Sequence, residues 1–508
     1  MAAQKAAGAL RNLASNATNQ DAIREAGAIG PLVSLLLPGA ASEAVQQAAG
    51  ALRNLAANHV VNKDAIREAG GIAALTGVLR AGIPPEPSQQ VAGALWSLAA
   101  NNPTNQDAIR DAGGIPPLVA LLQAGPGSLA AQKAAGALAN LASNPTNKDS
   151  IRHAGGIPSL VALLQPGATS EAAQHAAAVL ANLASNATNK DAIREAGGIA
   201  ALVAMLGPGA AHSAAQQVAG ALANLSANNA ANQDEVREVG GIPPLIRLLQ
   251  PASAPEAAQQ AAGTLWNLAA NNQANQDAIR EMGGVAPLVA LLQAGAASAA
   301  SQKAAGALAN LAAGTRNQDA IREAGAVPLL VALLQAGDTS EAAQQAAGAL
   351  RNLAANNTAN KDAVRSAGGV VPLVGLLSAG ATSLSAQKAA GALRNLAANN
   401  LSNQDAIREA GGIPWLVELL SASYTSVAAQ EAAAALANLA ASNATNKNAI
   451  REAGAIAPLV TLLQAGAANE AAQHAAAALA NLLSGGVAPL VALLHAGQHT
   501  VSEYAQHT

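Results

Sequence analysis

Apolar and polar positions alternate along this chain in a pattern that returns every 42 or 43 residues. One phrase, Ala-Leu-x-Asn-Leu with small variations, places its Asn at Asn12, Asn54, Asn140, Asn182, Asn224, Asn267, Asn310, Asn352, Asn395, Asn438 and Asn481, and Ser97 fills the remaining slot. A second phrase, Asn-Lys/Gln-Asp-Ala-Ile-Arg-Glu, begins at Asn19 and returns at Asn62, Asn105, Asn147, Asn189, Asn232, Asn275, Asn317, Asn360, Asn403 and Asn446. A fixed period of this length is the mark of a repeat architecture.

Each unit predicts three helices. In the unit near residue 150, Thr146 and Asp149 have capping-box spacing, and Ser150-Ile151-Arg152 continue a short first helix that Gly155-Gly156 ends. A second helix runs from about Pro158 through Leu160, Val161, Leu163 and Leu164 until Pro166-Gly167 breaks it. The third starts near Ser170-Glu171, carries Ala176, Ala177, Val179, Leu180 and Leu183, and ends at the Asn-rich turn 186–189. No single unit can bury its apolar stripe alone, so neighbours must stack.

Composition sharpens this picture. The chain has 508 residues, three Trp, two Tyr, no Phe and no Cys. Cores of ordinary domains cannot be filled that way, so Ala, Leu, Val and Ile must form an interior in which helices lie very close. The missing Cys excludes disulfides, thiolate zinc sites and Cys nucleophiles. A formal charge of −3 argues against bulk affinity for nucleic acid. No apolar run approaches the length of a membrane span, and the first residues lack signal-peptide anatomy. A longer period also runs through the chain: Trp96 and Trp266 are 170 residues apart, as are Lys133 and Lys303, and Glu171 and Glu341. Duplication of a four-repeat block accounts for this, and fits the drift between units better than a design from identical repeats.

Stretches such as Ala347-Gly348-Ala349-Leu350-Arg351-Asn352-Leu353 and Ile193-Arg194-Glu195-Ala196-Gly197-Gly198-Ile199 resemble armadillo repeats of the β-catenin kind and of plant and vacuolar arm proteins. The resemblance covers nearly the whole chain. It implies an all-α fold, a right-handed α-solenoid superhelix of three-helix units. Residues 1–508 are then expected to form one solenoid. Residues 1–18 supply a lone third helix, 19–484 eleven full repeats, and 485–508 a partial unit without its first helix. Neither end carries the polar cap that solenoids usually have.

In armadillo folds the third helix lines a concave groove, and the repeated Asn pairs with the backbone of an extended peptide. A primary amide suits that task because it both donates and accepts. Asn54, Asn140, Asn182, Asn224, Asn267, Asn310, Asn352, Asn395 and Asn438 are therefore the expected peptide contacts, although the same amides could tie neighbouring third helices together. Four residues before the Asn stands Gly or Ala, and seven before stands Gln, Lys, His or Glu, among them Lys133, Lys303 and Lys388. This face is small or polar, so it is expected to be exposed. The recurrent Gly suggests tight helix packing or close ligand approach. The residue just before the Asn, or before Ser97, is Arg at Arg11, Arg53, Arg351 and Arg394, Trp at Trp96 and Trp266, and Ala in the other units. Arg beside this Asn is similar to β-catenin, where it meets acidic ligand groups. Importin-α instead carries Trp four residues before the Asn, where this chain has only Gly or Ala, so nuclear-import cargo is disfavoured.

The Asp–Arg pairs of the first helices, such as Asp191 and Arg194, read as solvated helix-face pairs. No set of His, Asp and Glu has metal-ligand spacing, and the Gly-Gly pairs lack a phosphate-loop context. The expectation is a non-enzymatic scaffold without metal or cofactor, binding extended, acidic and polar protein segments, in the cytoplasm or alternatively the nucleus. Partners are expected to be proteins, with no nucleic acid and no membrane insertion. The rival expectation is a structural array whose uncapped ends self-associate.

Overall fold

The computed structural model describes residues 1–165, 170–207, 212–422, 426–464, 466 and 469–483. The secondary structure of these residues is helical throughout, and the chain divides into two compact units, Met1–Leu268 and Ala269–Thr508. Each unit is a stack of three-helix repeats. Residues 101–141 show the plan: a first helix Pro103–Asp111, a second Ile115–Leu122 and a third Leu129–Leu141. The Pro166-Gly167 break and the partial unit expected at 485–508 lie outside the described residues.

Asparagine builds the corners. The third helix Pro85–Ala99 is followed by Asn101 in the left-handed conformation (φ 51°), and Asn102 then caps the next first helix by accepting from the Asn105 N–H at 3.0 Å. Asn tolerates that backbone region, and its side-chain oxygen satisfies an otherwise orphan donor of the new helix. The cap near residue 150 therefore falls earlier than the Thr146 spacing predicts. It is Asn144, accepting from the Thr146 N–H at 3.1 Å, with Pro145 in the first helical position. The glycine pair that follows has two distinct reasons. Gly155 is left-handed (φ 74°), whereas Gly156 already begins the second helix, where a Cβ would sit 2.8 Å from the Ile151 carbonyl.

The first-helix charges do more than coat the surface. Arg67 donates to Asp64 at 2.6 Å in its own helix and to Asn105 of the next repeat at 2.9 Å, while Asn102 donates to Asp64 at 3.1 Å. In the second unit Arg365, Asp362, Asn403 and Asn400 repeat the arrangement at 2.8–3.0 Å. These brackets join consecutive repeats, which corrects the solvated-pair expectation. Beneath them, third helices pack on one another through alanine and leucine. Ala48, Ala49, Leu52 and Leu55 of Ser42–Ala56 are fully buried, as are Ala92, Ala94, Leu95 and Leu98 of Pro85–Ala99. Small side chains let the helices approach closely, so the core closes without Phe.

Candidate functional site

The repeated Asn residues recur on the third helices and are mostly half-buried, Asn12 and Asn224 being exposed. Most of these amides bridge backward by one repeat. Asn54 donates to the Arg11 carbonyl at 2.9 Å, Asn140 to Trp96 at 3.1 Å, Asn182 to Ala139 at 3.3 Å, Asn224 to Ala181 at 2.8 Å and Asn267 to Ala223 at 2.8 Å. In the second unit Asn352 reaches Ala309 at 2.7 Å, Asn395 reaches Arg351 at 2.7 Å and Asn438 reaches Arg394 at 2.9 Å. Asn310 holds the same position in Ala299–Leu311. The amides thus tie neighbouring helices together. That takes one N–H of each amide, and a primary amide has a second N–H and an acceptor oxygen besides.

Gly93, Gly136 and Gly391 answer to the side chain one repeat back. A Cβ on Gly93 would meet Arg53 Cδ at 3.0 Å, one on Gly136 the Trp96 indole at 2.9 Å, and one on Gly391 Arg351 Nε at 2.7 Å. Each Arg or Trp lies flat over the Gly of the next helix. Gly93, Gly136 and Gly391 are therefore buried rather than exposed, which corrects that part of the expected groove. Helix packing is what these glycines serve.

Two charged clusters occupy this face. In the first unit Lys133 Nζ lies 4.9 Å from the centre of the Trp96 ring and 3.4 Å from Glu171, and the His175 ring meets the Trp96 indole edge-on at 5.0 Å. His175 Nε2 is buried 3.6 Å from Glu171, beyond hydrogen-bond reach. Burial pushes the His175 pKa down against the pull of Glu171, and Lys133 adds to the lowering. In the second unit Glu431, only 3% exposed, lies between Arg351 Nη2 and Arg394 Nη1, each 2.7 Å away. Arg351 makes an aligned hydrogen bond, and Arg394 supplies charge at close range. Lys388 donates to Gln345 at 3.3 Å, with its pKa lowered by burial and then by Arg351, against Glu341. Lys303 pairs with Glu341 at 3.5 Å.

Of the expected ligand-facing residues the structure brings together Trp96 with Lys133 and Arg351 with Arg394 and Lys388, but Arg351 and Arg394 already hold a carboxylate of this chain. Sequence reasoning left Glu431 out of the site. Its signal was available, because Glu431 is the one carboxylate in a row otherwise occupied by Gln, Lys and His. Trp266 stands half-buried beside Asn267 on Pro255–Leu268. Arg53 is pressed below its ordinary pKa by burial and then by the neighbouring charge of Arg11. Among the described residues no three His, Asp or Glu form a metal cluster, and no helix is long and apolar enough to cross a membrane.

Stacked three-helix repeats with a polar amide row on the third helices define an armadillo-type solenoid. The family model of the Armadillo/beta-catenin-like repeat matches residues 16–57, 101–143, 144–185, 186–227, 229–270, 272–313, 314–355, 357–398, 400–441 and 443–484, and the chain belongs to that family. Residues 58–100, which it does not match, fold into the same three helices, Val60–Glu68, Gly71–Arg80 and Pro85–Ala99. The crystal structure of an engineered protein from a structural genomics consortium is 35% identical, with TM-score 0.73, covering 81% of this chain and 98% of its own. A structure from a study of the phosphorylation switch between cadherin and beta-catenin is 19% identical, with TM-score 0.69, covering 95% of this chain and 88% of its own. No curated protein matches the chain.

Proposed function

We propose that this protein is an interaction scaffold that binds extended segments of other proteins along its third-helix faces. The amide row carries the reading. Successive Asn residues lie one repeat apart, and Asn182 and Asn224 keep a second N–H and an acceptor oxygen beyond their ties to the preceding helix. An extended backbone presents alternating donors and acceptors that such a row can satisfy, and main-chain pairing of this kind tolerates varied side chains. The cationic groups Arg53, Lys133 and Lys388 beside the row favour acidic and polar segments. The solved beta-catenin structure concerns an interaction with cadherin, a precedent for a protein partner on this fold.

The test is a titration of the wild-type chain and its Asn182→Ala and Asn224→Ala variants with a library of capped acidic and polar peptides. Each Ala change removes one tie worth about 1 kcal/mol, so melting should shift only slightly while affinity falls several-fold. Affinity unchanged in both variants would remove the amide row from binding.

A further inference from the structure

Two arginine pairs on the third helices are built alike and differ in the side chain that faces them. In the second unit Arg351 and Arg394 precede successive repeat asparagines, and the next third helix supplies Glu431. In the first unit Arg11 and Arg53 hold the same register, and the next third helix supplies Gln90 in the place of Glu431. The surroundings correspond closely. A Cβ on Gly391 would meet Arg351 from the preceding repeat at 2.7 Å and Glu431 from the following one at 3.3 Å. A Cβ on Gly50 would meet Arg11 from the preceding repeat at 2.5 Å and Gln90 Oε1 from the following one at 3.4 Å. At Gly391 two guanidiniums and Glu431 meet beside the glycine; at Gly50 Arg11 and Gln90 meet over it, and Arg53 stands near enough to feel the Arg11 charge.

Their charge states differ. Glu431 sets one carboxylate oxygen 2.7 Å from each arginine and leaves a net charge of one across the three residues. Gln90 is neutral, and its Oε1 is buried with no hydrogen-bond partner. Among the described residues no carboxylate pairs with Arg11 or Arg53, and Arg53 makes only long contacts of 3.3 and 3.4 Å to its neighbour Asn54. Two like charges are therefore held close together with no acid between them. Guanidinium forks recognise carboxylates with charge-assisted, often bidentate bonds, and the Glu431 arrangement shows how this site geometry receives one.

We propose that Arg11 and Arg53 form an open site for an acidic side chain of an extended peptide, and that Arg351 and Arg394 form the same kind of site closed by the chain's own Glu431. This inference rests on the groove reading above and deepens it. It makes the residue at positions 90 and 431 the determinant of which unit accepts acid: Gln leaves the pair open and Glu fills it. A peptide carboxylate at the open site lies between the two guanidiniums, as the Glu431 carboxylate does at the closed one.

Reciprocal exchange tests the proposal. The full chain is titrated with a capped peptide of about ten residues alternating Glu and Ser, long enough to run along adjacent repeats, and with its Gln-for-Glu counterpart. Gln90→Glu should weaken binding of the acidic peptide about tenfold, as should the double change Arg11→Gln with Arg53→Gln. Glu431→Gln should raise the stoichiometry from one peptide to two, and should do so only while Arg351 and Arg394 are present. The neutral peptide should not distinguish these variants. Melting curves report whether Glu431→Gln folds, and if it does not, the Gln90→Glu and Arg11/Arg53 arms decide alone. Equal affinity of wild type and Gln90→Glu for the acidic peptide overturns the proposal, as does a loss shared equally by the neutral peptide. If that happens while Asn224→Ala still weakens library peptides, the groove reading survives and only the arginine site falls.

Discussion

A glycine inside a helix costs on the order of 1 kcal/mol relative to alanine, so its recurrence on these third helices needs a local cause. Side chains arriving from adjacent repeats, Trp96 from the preceding one and Lys388 from the following one, differ in stiffness. Over Gly136 lies the rigid Trp96 indole, 2.9 and 3.0 Å from where a Cβ would stand. Over Gly348 lies the end of Lys388, with Cδ at 3.4 Å and Nζ at 3.6 Å, which is ordinary contact with a flexible chain. Gly348→Ala should therefore stabilise the protein by about 0.5–1 kcal/mol, through helix propensity and a less flexible unfolded chain. Gly136→Ala should lose that gain or turn it into a cost, because the indole must move. Thermal melting of the two variants checks the contrast. Equal shifts would mean that the stacked Trp96 does not set the requirement for glycine at position 136.

At the scale of the helix, asparagine works at several places with unequal consequences. Asn105, fully buried, donates to the Leu98 carbonyl at 3.1 Å and to the Lys63 carbonyl at 3.5 Å, and accepts from Arg67 at 2.9 Å. It thus closes the end of one third helix and joins two first helices. Replacing it by Ala strands buried carbonyls, at about 2–3 kcal/mol. Asn54 also bridges repeats, but on a half-exposed face where water can take its place, so Asn54→Ala should cost only about 1 kcal/mol. Urea denaturation of both variants tests this ranking. The helices themselves were legible in the sequence, because 3.6-residue periodicity, Gly-Gly pairs and the 42–43 residue phrase agree. Less legible were contacts made across repeats. Asp64 and Arg67 read as a local pair because spacing shows only the partner on the same helix, and the bracket to Asn102 and Asn105 needs the stacking geometry. The capping residue was missed for a related reason. Thr146 and Asp149 fit a capping box, yet Pro145 fixes the first helical position and hands the cap to Asn144. Glu431 was visible as the odd acid in its row, but its two arginines lie one and two repeats away.

In a stacked array each repeat is stabilised chiefly by its neighbours, so protection should vary along the chain in step with local burial. The third helix Ala2–Leu13 buries only Ala7. The equivalent Ser42–Ala56 buries nine residues, Ala44, Val45, Ala48, Ala49, Gly50, Ala51, Leu52, Leu55 and Ala56. A short helix with so little burial is marginal by itself, and its amides should exchange with solvent far faster than those of Ser42–Ala56 or Pro85–Ala99. The same principle gives a sharper test when one bracket is cut. Asn105→Ala removes the acceptor of Arg67 and the donor to Leu98, so protection should fall first in Val60–Glu68, Pro85–Ala99 and Pro103–Asp111. Glu341–Leu353, in the second compact unit, is held by Asn360, which donates to the Leu353 carbonyl and accepts from Arg322, and should exchange as in the wild type. Hydrogen exchange read by mass spectrometry, peptide by peptide, resolves these segments. A loss of protection of equal size in both units would show that the chain opens as one cooperative body. The local character of the brackets and of the carboxylate sites beside them would then have to be abandoned.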